Sequence, residues 1–501
     1  MKALLVNPLL PLSFWNFKSV LKIINKRVVY VPLGLITAAA VMPGNWEIKL
    51  VDLNAEKLTD EMIKWANLIF ISAMIVQKES VRKIIDRAHQ LGKQVVVGGP
   101  LFHHGVDKEF IDVDYHILNE AEITLPRFIK DFESGKPQKI YRSDKKFDIK
   151  KTPVPRWDLL NMKNYASMSL QFSRGCPFNC EFCDIPFLHG QQYRTKTPSQ
   201  MIREFSALYA NGWQGRVFIA DDNFIGNSSQ VKNLLRKIAA WQKSRSYPFV
   251  LNAQASINLA KDEELMRLMI ESGFKGVFIG IETPDSNTLR KCSKYQNSNV
   301  NLLEAIRTIQ SNGLEVSGGF IVGFDSDPED IFERQIQFIQ ESGIVTAMIG
   351  ILYALPGSRL HERLKKEGRL IETICVGSNT DAVLTFVPKM GISTLYEGYM
   401  SVVNYIYSPQ NYYERILNFI KYYKPVNQHP LKLAIFVAFL RSIIYLGIFN
   451  KGKIKLYYWK ALLQAVLFKH KYFCEILEHA IFAYHFQKQI ELISTEINHK
   501  S

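Results

Sequence analysis

Cysteine is scarce in this chain, with 6 in 501 residues. Three are gathered in one short run, while Cys292, Cys375 and Cys474 stand singly. That distribution excludes a disulfide-stapled secreted scaffold. It points to a reducing, cytoplasmic compartment, with the scattered three as plain thiols. A secretory leader is not expected: the opening apolar run ends at Asn7-Pro8, too short for a signal core, and reads as a first strand. No apolar stretch of membrane-spanning length is free of charge. Leu431–Phe449 comes nearest, but Lys432 stands near its start and Arg441 at its middle, so a buried or interfacial helix is expected there. Helix-turn-helix, RNA-binding-sheet and zinc-finger spacings are absent, which leaves nucleic acid outside the expected partners. Acidic residues are in deficit: 47 Asp and Glu face 62 Lys and Arg, a formal charge of +15. The excess gathers around Lys18–Arg27 and near the end, where Lys421, Lys424, Lys432, Arg441, Lys451, Lys453, Lys455, Lys460, Lys469 and Lys471 alternate with aromatic and aliphatic residues. Such a surface suits anionic lipid, and a peripheral place at the inner face of the membrane is expected beside the plainer reading of a solvated basic face.

What is present is more specific. Cys176, Cys180 and Cys183 are spaced C-x3-C-x2-C in the run Arg174-Gly175-Cys176-Pro177-Phe178-Asn179-Cys180-Glu181-Phe182-Cys183. Three thiolates this close can share one metal centre, and an odd set makes a poor disulfide framework. Zinc would want a fourth ligand, and His189 follows six residues on. An iron–sulfur cluster held by three cysteines would leave one iron open to a small molecule. Gly175 and Pro177 favour a turn that brings backbone N–H groups near the sulfurs. Phe178 and Phe182 are placed to keep water away, or simply to pack.

This spacing resembles the radical SAM superfamily. The resemblance implies a [4Fe-4S] cluster on Cys176, Cys180 and Cys183, with the open iron chelated by S-adenosylmethionine (SAM). It also implies reductive cleavage of SAM to a 5′-deoxyadenosyl radical, with electrons from a donor such as flavodoxin or ferredoxin.

The rest of the chain divides by its patterning. Strands are expected at Lys2–Asn7, Glu47–Asp52, Leu68–Ser72, Gln94–Val97 and Tyr115–Leu118, alternating with helices such as Lys78–Leu91 and Ala121–Phe132. That pattern predicts a doubly wound parallel sheet over residues 1–135. Ligands of such sheets sit at the carboxyl ends of strands, which here carry Ser72, Gly98, Gly99 and Glu120. The two glycines allow close approach of a flat ligand, although Gly-Gly-Pro also just ends a strand. Residues 136–166 are polar, with Pro137, Pro153 and Pro155, and read as a linker. From 167 to 386, Ser167–Ser173, Arg216–Ala220, Phe249–Gln254, Gly276–Ile281, Glu315–Val322 and Ala347–Tyr353 alternate with helices, as in a partial (β/α)6 barrel. Residues 387–501 keep a helical spacing and are expected as an all-helical domain.

Polar strand ends in the barrel suit SAM. Asp221, Asp222 and Asn223 can accept from an ammonium, or equally cap a helix. Glu282 can hold a ribose while Gly280 admits the backbone closely. Gly319 lies in the apolar run Gly318–Phe324, a packing strand or an adenine platform. By resemblance, Asp221–Asn223 stands at the family's methionine-binding motif, commonly Gly-Gly-Glu. Glu282 stands at its ribose position, and the run after Gly318 is its adenine-facing strand.

The order of segments resembles B12-dependent radical SAM enzymes. Gly98-Gly99-Pro100, Asn119-Glu120-Ala121-Glu122, Pro155-Arg156-Trp157-Asp158-Leu159 and Ala354-Leu355-Pro356-Gly357 are similar to members of that group. The runs Leu12-Ser13-Phe14-Trp15 and Ser167–Arg174, and the helical end of the chain, resemble the hopanoid C-2 methylases and bacteriochlorophyll methylases. The resemblance implies a flavodoxin-like cobalamin-binding domain touching cobalamin through Ser72, Gly98, Gly99 and Glu120. The motif Asp-x-His-x-x-Gly is missing after the first strand, so no histidine from that loop is expected beneath cobalt, and Ser72–Gln77 is the loop expected there. The implied reaction is methylation of an unactivated carbon of a hydrophobic hopanoid-, lipid- or tetrapyrrole-like substrate. One SAM would make methylcobalamin and a second would supply the radical. Ring formation or rearrangement without methyl transfer, and a non-catalytic iron–sulfur electron carrier, are the alternatives left open.

Overall fold

The computed structural model describes residues 1–103, 108–371, 380, 383–425, 433–450, 453–467 and 469–498. Of the positions singled out above, Cys375, Leu431, Lys432 and Lys451 lie outside the described residues.

The first sheet is built from β1 (Lys2–Asn7), β2 (Glu47–Asp52), β3 (Leu68–Ser72), β4 (Gln94–Gly98), β5 (Tyr115–Ile117) and β6 (Ile140–Tyr141). Its strands run parallel in the order β2-β1-β3-β4-β5-β6. Helices cover both faces, so the central strands are apolar without alternation: Ala3, Leu4, Leu5 and Val6 are each fully buried. Helix Lys78–Gln90 shows the complementary pattern, burying only Val81, Ile84, Ile85 and Ala88. The chain leaves β1 toward β2 on one side and returns to β3 on the other, so a crevice opens outside the ends of β1 and β3. β6 lies inside the stretch expected as linker; Tyr141 is buried and pairs beside Ile117, although a two-residue strand carries no period to read.

The second sheet begins with β7 (Ser167–Leu170). A short antiparallel ribbon follows, β8 (Ser173–Arg174) with β9 (Arg194–Thr195), and frames the cysteine loop. Then come β10 (Arg216–Ile219), β11 (Val250–Ala255), β12 (Phe274–Glu282), β13 (Glu315–Val322) and β14 (Ala347–Ile351). All six of its strands are parallel, in the order β14-β13-β12-β11-β10-β7, which is an open, partial barrel. Residues 27–29 lie along its β7 edge, where the Ala166 and Ser167 N–H groups donate to the Val28 and Val29 carbonyls at 2.8 and 2.9 Å.

Helices Ile392–Ile406, Pro409–Tyr422, Leu433–Ser442, Lys453–Leu467 and Phe473–Asn498 form the C-terminal part, and Ile443–Ile448 continues the third as a π-helix. The last helix closes the amino end of the barrel, where Glu478 receives Arg216 at 2.6 Å and Lys275 at 2.9 Å. Among the described residues, no helix is long and apolar enough to cross a membrane. The run Leu12–Trp15 reaches out of the first domain to join all three parts. Phe14 stacks on Phe486 at 4.6 Å, and Trp15 meets Phe278 edge-on at 5.3 Å.

Candidate active site

The cysteine loop is held from both sides. Asp221, at the end of β10, accepts from the Phe172 N–H at 2.7 Å and the Ser173 hydroxyl at 2.6 Å. Both its oxygens are therefore committed to the strand that launches the loop, and burial pushes its pKa up to about 7. Asp221, expected to contact SAM, thus serves as an anchor of the cysteine loop. Asp222 accepts from the Gly175 N–H at 3.0 Å and is held up to about 6, chiefly by burial. Gly175 has φ 90°, and a Cβ there would meet the Gln192 carbonyl at 2.5 Å, so only glycine fits the turn. On the far side, Phe182 packs edge-on against Phe324 at 5.9 Å, Arg363 binds Glu181 at 2.7 Å and Arg359 donates to the Asn179 carbonyl at 2.8 Å.

Cys180 is buried, and Cys176 and Cys183 are half-buried. Burial raises all three thiol pKa values; the Phe178 backbone opposes this at Cys176 and the Ile185 backbone at Cys183. These are the amide–sulfur contacts expected of the loop. Among the described residues, no three His, Cys, Asp or Glu side chains converge on a single ion. A zinc ion would need that convergence, whereas each thiolate of a multi-iron cluster binds a different iron. His189, the candidate fourth zinc ligand, is instead held down to about 4 by burial with its Nδ1 unpartnered. The donor set fits a cluster.

Opposite the loop lies a group that no motif announced. Lys294 binds Glu282 at 2.7 Å, and Gln296 reaches the Cys180 sulfur at 3.7 Å. Burial pulls the Lys294 pKa down, but Glu282 and Cys180 outweigh it and the net shift is upward. Glu282 itself has φ 66° at a bulge between β12 and β13, a conformation that costs a non-glycine residue free energy. Its carbonyl takes Gln335 at 3.0 Å, and Asn297 donates to the Gly280 and Ile281 carbonyls at 3.0 and 3.1 Å, so surrounding structure over-determines the strain. Asn223 is buried with its Oδ1 unpartnered. Asp222 and Glu282 thus reach the cysteine loop, through Gly175 and through Lys294, from strand ends that also carry Asn223 and Gly280, and Gly319 sits beside Gly280 in register.

The inner face of the second sheet leads away from this group. Register places Ser169, Phe218 and Asn252 side by side, then Gln254, Phe278 and Ser317, then Gly280, Gly319 and Met348. Tyr30 lies over Phe218 at 5.5 Å, and the Trp15 indole N–H points at the Met348 sulfur at 2.9 Å. Between the strand ends and Arg216 this wall is uncharged, with aromatic rings set among Ser169, Asn252, Gln254 and Ser317.

The ends of the first sheet face the cysteine loop. Leu9, Leu12, Met74 and Phe187 are all more than two-fifths exposed there, an unusual grouping of solvent-facing apolar side chains. They fit a macrocycle with apolar faces, and Asn119, at φ 65° with a buried unpartnered Oδ1, offers a polar group at the rim. The four residues expected to touch cobalamin also serve the fold. A Cβ on Gly98 would meet the Ile117 carbonyl at 2.9 Å, and one on Gly99 would meet Ser72 Oγ and the Ala73 nitrogen at 2.8 Å. The close approach these glycines permit is therefore between the protein's own strands, with Ser72 on the far side of it. Glu120 is bound by Arg194 at 2.6 Å and faces Arg174 at 3.9 Å, so it ties the domains together. Gln77 closes the expected lower loop by donating to the Pro8 carbonyl at 2.7 Å.

Comparison with known proteins agrees with this geometry. The Radical SAM superfamily model matches residues 170–339, the B12 binding domain 23–129, and a domain of unknown function 358–499. An uncharacterized methyltransferase of Synechocystis sp. is 42% identical over 416 residues, covering 83% of this chain and 78% of its own. The hopanoid C-2 methylase of Rhodopseudomonas palustris is 33% identical over 480 residues, covering 93% and 89%. The radical S-adenosylmethionine methyltransferase TsrM from Kitasatospora setae, solved with cobalamin and a [4Fe-4S] cluster, shares the fold: TM-score 0.66 and 14% identity over 96% of this chain and 99% of that one.

Proposed function

Because this chain belongs to the family of cobalamin-dependent radical SAM methyltransferases that includes hopanoid C-2 methylase, we propose that it methylates an unactivated carbon of a neutral, hydrophobic polycyclic substrate. Its cofactors are a [4Fe-4S] cluster, SAM and cobalamin. When bound, these supply a hydrogen-abstracting radical and a transferable methyl group, while the protein positions and shields them. Cys176, Cys180 and Cys183 hold the cluster. Asp222 and Asn223 would receive the ammonium of SAM and Glu282 its ribose hydroxyls, with Gly280 and Gly319 on the strands beside the adenosine, where Glu282, Lys294 and Phe278 pack over the two glycines. Leu9, Leu12 and Met74 would flank the corrin, and the loop after β1 carries no histidine to offer the metal. Domain limits at 135, 166 and 386 remain a working division, with electrons arriving from a flavodoxin or ferredoxin.

The observation that carries the substrate class is the inner wall of Tyr30, Phe218, Phe278 and Met348, joined by Trp15. The cation on that face, Arg216, is spent on Glu478, so the wall offers little to the carboxylate of a tetrapyrrole acid. A hydrocarbon skeleton suits it better than a tetrapyrrole or a peptide. The test is anaerobic incubation of the reconstituted protein with SAM, a reductant and either a hopanoid or a tetrapyrrole acid. A product heavier by one methylene from the hopanoid alone is expected. Methylation of the tetrapyrrole alone would overturn the substrate class, and an isomer of unchanged mass would overturn the methyl transfer. A peripheral station on the inner membrane, where such substrates dissolve, belongs to the same reading.

A further inference from the structure

A basic pocket of about 490 Å³ lies away from the active site, formed where three separate parts of the chain meet. Lys22, Lys26 and Arg27 come from the first domain, Lys163 from the segment before β7, and Arg441 and Tyr445 from the third C-terminal helix and its π-helical continuation. Among the described residues, no acidic side chain lines it. Among the described residues, no carboxylate pairs with any of its five cations. Three of them meet neutral groups: Lys22 sits over the Tyr445 ring at 4.8 Å, Lys26 donates to the Lys163 carbonyl at 3.1 Å, and Arg27 to the Ala55 carbonyl at 2.8 Å. Five uncompensated cations around one hollow make a strong attraction for an anion.

Beside the pocket the helices expose apolar stripes. Phe436, Leu440, Ile444 and Ile448 recur every four residues along the helix that carries Arg441 and Tyr445, and Phe449 is 74% exposed at its end. Leu456, Trp459, Leu463 and Val466 form a second exposed stripe on helix Lys453–Leu467. The two helices are locked together, with the Trp459 N–H donating to the Gly447 carbonyl at 3.0 Å and Ser442 meeting the Tyr458 hydroxyl at 2.7 Å. Lys453, Lys455 and Lys460 are exposed around them. Large unpartnered apolar area beside concentrated positive charge is the pattern of an interfacial surface.

We propose that this face docks on a bilayer, the stripes resting in its interface and the basic pocket holding the phosphate of an anionic lipid headgroup. Charge complementarity selects this occupant. A second copy of the chain would bring like charges together around the stripes, whereas an anionic leaflet neutralises them. The inference rests on the peripheral station proposed above and adds its surface and its lipid chemistry.

The test is cosedimentation of full-length protein with phosphatidylcholine vesicles, with or without about 30% phosphatidylglycerol. Three proteins are compared: wild type, Lys22→Glu with Arg441→Glu, and Ile448→Ser with Phe449→Ser. Wild type should bind the anionic vesicles at least about tenfold more tightly than the neutral ones, and lose most of that preference near ~0.5 M salt. Each double variant should lose about tenfold or more while keeping its iron and corrinoid content. The serine variant alters only exposed side chains, so it decides the question if the charge reversal fails to fold. Wild type that ignores anionic vesicles sinks the peripheral station itself. Binding that survives in both variants sinks this surface alone. Loss of dimerisation in the serine variant without vesicle binding assigns the face to a second copy, and binding of glycerol 3-phosphate without vesicle binding makes the pocket a free-anion site. Either result overturns the proposal.

Discussion

The Arg194 guanidinium donates to the Glu120 carboxylate at 2.6 Å, joining the edge of the first sheet to the ribbon that frames the cysteine loop. Glu120 also accepts from the Phe147 N–H, and Arg174, which follows β7, binds Glu122 at 2.6 Å. Carboxylates from the first domain and arginines from the second thus interlock in a nearly buried network. Losing one partner of such a pair costs about 3–5 kcal/mol because the other charge is stranded. The network sets how the two halves of the active site face each other.

Glu120→Gln is therefore expected to uncouple the reaction. The ratio of 5′-deoxyadenosine to methylated product should rise several-fold, while iron content stays at the wild-type level. Quantifying both products by mass spectrometry in one anaerobic assay checks this. An unchanged ratio would reduce the network to a purely structural tie.

Replacing Cys176, Cys180 or Cys183 by Ala should remove most bound iron and abolish SAM cleavage, since a three-thiolate site has no spare ligand. Cys292→Ala and Cys474→Ala should keep both. Cys292 is buried in the cluster of apolar side chains that receives Phe182, so its loss should cost about 1 kcal/mol in packing and leave the iron in place. Iron analysis and the ultraviolet–visible spectrum decide it.

Asp221 is held at about 7, above the ~3.9 of a solvated aspartate, because it is buried. The folded protein binds this proton more tightly than the unfolded chain does. The stabilisation is therefore full below about 4 and drains away as pH rises toward 7, at roughly 1.4 kcal/mol per pH unit. Tm measured from about pH 5 to 8 should fall in the wild type relative to Asp221→Asn. A difference between the two proteins that does not change with pH would contradict the raised pKa of Asp221.

Phe278 and Met348 lie on the inner wall beside Trp15, with the Phe278 ring packed over Gly319. Phe278→Ala should raise the substrate KM or lower product yield about tenfold or more, as expected when a large apolar contact is lost, with SAM cleavage without substrate unchanged. Equal loss of both activities would place Phe278 in the SAM site instead.

Much of this was written in local order. A run such as Ala3–Val6, apolar at every position, reads as a strand covered on both faces, and four strand expectations, including Glu315–Val322, coincide with the structure residue for residue. Three cysteines within eight residues announce a cluster because their spacing alone brings the sulfurs together. The longer-range work of the same residues was not legible. Asp221 reads as a ligand at a strand end until Phe172 and Ser173, about 50 positions earlier, are seen to occupy both its oxygens. Gly98 and Gly99 announce a close approach without saying what approaches, and Glu120 announces a charge without its partner Arg194, 74 positions on. Lys294 has no motif at all and gains its meaning from Glu282 and Cys180. Periodicity and motif spacing act over a few residues, so the sequence determined most of the elements and their order, and pointed to the three cysteines. Which side chains satisfy one another and which remain free for a ligand is decided by desolvation and pairing across the fold, and only the tertiary structure carries that.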